Sequence, residues 1–71
     1  MLNLKIARMM RNKTQEQFSK EMEVAKNTVS AWERGAINMS IENLNKASDI
    51  LNVSTDFILG KETAKEFINL D

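Results

Sequence analysis

The 71-residue chain contains no cysteine, histidine, proline or tyrosine. Without Cys and His it lacks the ligands on which structural zinc, iron–sulfur and haem sites are built. It also lacks a thiol nucleophile and an imidazole base. No enzymatic activity, metal or cofactor is therefore expected. Disulfides are excluded, and the absence of Cys accords with a reducing, cytoplasmic setting. Glycine occurs only twice, and no glycine-rich phosphate loop is present. No apolar run approaches the roughly 18 residues of a membrane span, and no signal-peptide pattern is visible. A membrane partner is not expected.

What remains is enough for one small domain. A domain of this size buries only about 60% of the surface its unfolded chain exposes. With 42% apolar residues and no covalent or metal staple, helix packing must supply the stability. Ten basic and ten acidic side chains cancel, but they are not evenly placed. Residues 1–34 hold seven Lys/Arg against four acids, and residues 35–71 hold three against six, so the halves carry +3 and −3. That asymmetry offers an anionic polymer a preferred face.

Five helical patterns follow one another, and β-branched residues nowhere alternate over a useful length. The expected fold is all-α. The first helix spans 2–12, with Leu4, Ala7 and Arg11 along one side and Asn12 as a left-handed stop. The second spans 15–22: Thr14-Gln15-Glu16-Gln17 is a capping-box signature, and Phe18 and Met22 form its apolar stripe. The third spans 26–34, with Val29 and Trp32 inward and Gly35 as its stop. Ser40 caps a fourth helix over 41–51, whose Ile41, Leu44, Ala47 and Leu51 recur with helical spacing. Ser54 caps the last, 55–59. Residues 1–60 are read as the domain. Residues 61–71 are read as a tail with a weak helical pattern (Ala64, Phe67, Ile68), too short for an effector domain.

The connection from Met22 to Lys26 is too short for an antiparallel pair with a long shared seam. It favours a helix-turn-helix whose second helix protrudes. On that helix Lys26, Asn27, Ser30, Ala31 and Arg34 are small, polar or basic. Such a face suits base edges in a major groove.

These residues resemble the lambda-repressor-like, or Cro/CI-type (XRE), helix-turn-helix domains. The resemblance rests on Thr14-Gln15-Glu16-Gln17-Phe18-Ser19, Val24, Thr28-Val29-Ser30-Ala31-Trp32-Glu33-Arg34-Gly35, Ser40-Ile41 with Leu44, and Leu51-Asn52-Val53-Ser54. It covers residues 4–60 and implies a five-helix bundle that binds double-stranded DNA. It also implies roles for individual residues. Gln15 faces a phosphate; Lys26, Asn27, Thr28, Ser30 and Ala31 face bases and backbone; Arg34 and the loop Ala36–Asn38, Asn38 included, approach the next phosphates. Arg8 and Glu33 match a pair that commonly forms a partly buried salt bridge. This sequence departs from the family in having Glu23 where Gly is usual in the turn, Ala25 where Ser or Thr would cap the recognition helix, and Met39 in place of a frequent Pro. Asn27 is a candidate substitute cap, and Thr28 is either a local cap or a phosphate contact.

The resemblance implies a sequence-specific regulator of transcription, a phage- or prophage-type repressor binding a palindromic operator as a homodimer, with half-sites about 34 Å apart. Phe57, Phe67, Ile68 and Leu70 are the candidate dimer surface; the alternative is that the tail packs on its own core. Ile6, Met9 and Met10 give the first helix more apolar surface than one core face needs, for the tail or for a partner. A competing reading is a protein-interaction module, or the antitoxin of a toxin–antitoxin pair, with a regulatory protein as partner. Glu62 and Glu66 are read as a solvated face.

Overall fold

The computed structural model describes residues 3–60. They form five helices and no strand: α1 (Leu4–Met10), α2 (Gln15–Met22), α3 (Lys26–Arg34), α4 (Ile41–Leu51) and α5 (Thr55–Ile58). The helix starts follow the hydroxyl residues. Thr14 Oγ1 accepts from the Gln17 N–H at 3.0 Å while Gln17 Oε1 accepts from the Thr14 N–H at 2.8 Å. This reciprocal box satisfies two donors that a helix start otherwise leaves unpaired. Ser40 and Ser54 cap α4 and α5 by accepting from Asn43 N–H and Phe57 N–H.

Three helices stop in the left-handed conformation, at Glu23 (φ 61°), Gly35 (φ 75°) and Asn52 (φ 53°). At each stop the next amide reaches back five residues: Val24 to Ser19, Ala36 to Ala31 and Val53 to Ser48. This is the closure that satisfies orphan carbonyls at a helix end. Gly35 adopts it without a Cβ penalty; Glu23 does not, and it is helped from a distance. Lys46 Nζ on α4 donates to the Met22 carbonyl at 3.2 Å and to Glu23 Oε1 at 2.8 Å. One ammonium thus covers the negative end of α2 and holds the strained turn.

The core is Leu4, Ala7, Phe18, Met22, Val29, Trp32, Ala47, Leu51, Val53, Phe57 and Ile58. α2 packs against α3 and α4, α1 against α3, and α5 against α4. The two ends of the described chain are tied together, since Asn3 N–H donates to the Ile58 carbonyl at 2.8 Å and Asn3 Nδ2 to the Phe57 carbonyl at 3.1 Å.

Several expectations need correction. α1 ends at Met10 because Arg11 and Asn12 turn, Asn12 with φ 56°. Arg11 does not point inward with Leu4 and Ala7. It is exposed, and its guanidinium donates to the carbonyls of Leu51 and Asn52, at 2.6 and 3.0 Å, closing the C-terminal end of α4. Arg8 takes the buried place, in the salt bridge with Glu33 that the resemblance implied. Ile41 lies outside the core, 77% exposed, because it opens α4 at the edge of the bundle; Ile50 packs against the core from the same helix. α5 stops at Ile58, and Leu59 is exposed. Phe57 is not a surface residue at all: it is 0% exposed, in the middle of the core. Phe67, Ile68 and Leu70 lie outside the described residues.

Candidate nucleic-acid interface

α2 and α3 are joined by Glu23, Val24 and Ala25. Val24 packs on the core from within the turn, while Val29 and Trp32 anchor α3 by its inner side. At 100° per residue, Lys26, Asn27, Ser30, Ala31 and Arg34 then fall together on the side away from those anchors. Lys26, Asn27 and Arg34 are exposed, and Thr28, Ser30 and Ala31 half-buried. Asn38 is exposed in the loop that follows. Nine residues give a cylinder about 13 Å long, of a width that a major groove admits.

This face carries cations without an opposing exposed acid. Lys26 and Arg34 stand at its two ends, and the one acid on α3, Glu33, is withdrawn. Glu33 is 4% exposed and meets Arg8, itself 10% exposed, with Arg8 Nε donating to Glu33 Oε2 at 2.6 Å. Arg8 also donates to the Lys13 carbonyl at 2.7 Å, fastening the α1–α2 loop. Arg34 lies along the helix, its Nε 3.4 Å from Ser30 Oγ. α3 begins at Ala25 with no side-chain cap, so Asn27 does not serve as one, and its amide faces outward.

Gln15 is not on α3 but is brought to it. As the first residue of α2, it donates from Nε2 to Glu33 Oε1 at 2.9 Å. The start of α2 and the last turn of α3 therefore share one edge. This bond was not foreseen, since neither residue's spacing points to the other. The Lys46–Glu23 bond was missed for the same reason. One further hollow, about 360 Å³ and open to solvent, lies over Arg11, Asn12, Lys13, Gln17, Lys20 and Glu21, away from α3. Its Lys13 is paired with Glu21 at 3.0 Å, and Arg11 donates to the carbonyls that end α4. Among the described residues no group of three or more acids could hold a metal ion, and no helix is long and apolar enough to cross a membrane.

A tight turn between two packed helices, the second of them anchored by two apolar residues and polar on its outer side, defines a helix-turn-helix domain, and the family model for the helix-turn-helix matches residues 4–58. The chain belongs to that family, the XRE-type helix-turn-helix domains with the lambda-repressor-like all-helical fold. It is similar to the HTH-type transcriptional regulator ImmR of Bacillus subtilis (strain 168), with 36% identity over 59 residues. That match takes in 83% of this chain but 46% of the relative, so the matched part spans less than half of that regulator's length.

Proposed function

We propose that this chain is a sequence-specific, double-stranded-DNA-binding regulator of transcription acting in the cytoplasm, with residues 1–60 as its DNA-binding unit. The observation that carries this reading is the outer side of α3. There Lys26 and Arg34 bracket Asn27, Ser30 and Ala31, and the nearby carboxylate of Glu33 is withdrawn into a salt bridge. Arg34, Gln15 and Asn38 anchor phosphates, which supply most of the affinity and make it fall with salt. Lys26 and Asn27, with Ser30 and the methyl of Ala31, read base edges, and Thr28 stands beside the backbone. A well-made bidentate base contact is worth about 1–3 kcal/mol of discrimination.

The action needs no chemistry on the DNA: a bound protein blocks or admits the polymerase. Similarity to a transcriptional regulator supports regulation of transcription; repression of the prophage type is the finer reading, which rests on the lambda-repressor-like resemblance alone. A single helix reads few base pairs, and a symmetric pair reading a palindrome doubles them. The test is selection of bound duplexes from a random pool, followed by Asn27→Ala. The parent should enrich a palindromic site, and the variant should lose discrimination at one base pair of each half-site while keeping its affinity for mixed-sequence DNA. A parent that enriches nothing overturns the reading.

One observation favours a second role beside the first. Ile6, Met9 and Met10 form a second apolar stripe on α1, nearly opposite Leu4 and Ala7, with Met9 58% exposed. A partner protein, as in an antitoxin, would use that side and leave α3 free for DNA.

A further inference from the structure

Two helices send a side chain to a carboxylate on a third. Glu33 Oε2 accepts from Arg8 Nε at 2.6 Å, and Glu33 Oε1 accepts both from Arg8 Nη2 at 3.2 Å and from Gln15 Nε2 at 2.9 Å. A carboxylate paired with a guanidinium only accepts, so the Gln15 amide has one compatible orientation, nitrogen toward Glu33. That nitrogen carries two hydrogens and spends one. The second belongs to a group already held still, at the first residue of α2, beside the last turn of α3. A loose glutamine loses rotational freedom when it grips a ligand, whereas an anchored one has lost it on folding.

We propose that Glu33 is a positioning residue for DNA binding, acting through Gln15. It holds the Gln15 amide so that the remaining N–H donates to a backbone phosphate of the duplex. Arg8 completes the device. An unpaired carboxylate this close would repel the phosphate, and the guanidinium cancels it. The salt bridge thus does more than join α1 to α3: it makes an anion tolerable at the edge where the amide is presented. This rests on the reading that the α2–α3 face binds DNA, and the experiment separates the two.

Removing Glu33 alone would orphan a buried guanidinium and unfold part of the population, so the pair is replaced together by Arg8→Met with Glu33→Leu, which leaves no buried charge. The full chain is used throughout, its folding checked by cooperative melting, and the probe is a mixed-sequence duplex about two helical turns long. The Arg8→Met/Glu33→Leu protein should bind about threefold to tenfold more weakly than the parent, the size of one net hydrogen bond. Gln15→Ala should lose a similar factor. Combining all three changes should bind no more weakly than Gln15→Ala alone, because the pair acts only through that amide.

Losses that multiply instead would show that the pair merely supports the fold, and the positioning role falls. If Gln15→Ala binds as the parent does, the phosphate contact itself is wrong, and with it that part of the interface. A second readout needs no variant. In the parent, the Gln15 side-chain amide should give a slowly exchanging proton and a partner proton that shifts when the duplex is added. Two rapidly exchanging protons indifferent to DNA overturn the proposal.

Discussion

Among the described residues, Glu23 holds the sharpest conflict between a residue and its backbone. Its φ of 61° is a conformation that L side chains resist, and a glycine would adopt it freely. The compensation lies in Lys46. Its hydrogen bond, reinforced by its charge, holds the Glu23 carboxyl below the usual glutamate range. A carboxyl whose value is depressed on folding adds stability above its unfolded value and loses it as pH falls through the folded one. Urea unfolding of the parent should therefore weaken slightly more on the acid side of the usual glutamate range than that of Glu23→Gln, with the two curves parallel near neutrality. Because the carboxylate stands in solvent, the difference is small and fades with added salt. That Glu23 would be strained is readable from its position in the turn. That Lys46 relieves it is not, since the two are distant in sequence and only the packing of α4 on α2 joins them.

At the scale of the element, the caps were the most legible features. Thr14, Ser40 and Ser54 announce their helices because a short hydroxyl side chain reaches an amide only a few bonds away, and nothing remote is needed. α3 is the exception, opening at Ala25 in extended conformation with no side-chain cap. Ala25→Ser should supply the missing acceptor and raise the unfolding free energy by about 1 kcal/mol, measured by denaturation, with binding to DNA retained. Boundaries and inward faces were less legible. A helical spacing of 41, 44, 47 and 51 says which residues share a side, but not where the bundle stops covering it; Ile41 lies beyond that edge. For α1 the pattern held two apolar stripes and a choice of arginines. Arg8 went inward because Glu33 was there to receive it, and Arg11 went outward to the carbonyls that end α4. For the candidate site, the exposed face of α3 follows from Val29 and Trp32 being anchors, whereas its link to Gln15 required α2 to be placed first.

In the whole molecule, Phe57 belongs to the core and not to a dimer surface. A large aromatic near the end of a small domain suits a dimer surface as well as a core, and spacing alone does not choose. Here a four-residue helix is pinned by Asn3 against α1, and the ring has no route to solvent. Phe57→Ala should destabilise the protein by about 3–5 kcal/mol, most of what a domain of this size has. Met9→Ala, on the open side of α1, should stay within about 0.5 kcal/mol. Thermal melts of the two variants distinguish the sites. Were Phe57→Ala to melt like the parent and shift only the oligomeric state in sedimentation, the ring would be at an interface after all.

The local rules of the chain were enough for the all-helical class, the order of the five helices, their caps and the turn between α2 and α3, because each depends on residues a few positions apart. Where Arg11 points, whether Phe57 faces solvent, how Glu23 is held and what orients Gln15 all depend on partners 18 to 54 residues away. Such pairings are set by how helices stack around a shared core, and a side chain's neighbours across that core leave no periodic trace in the sequence.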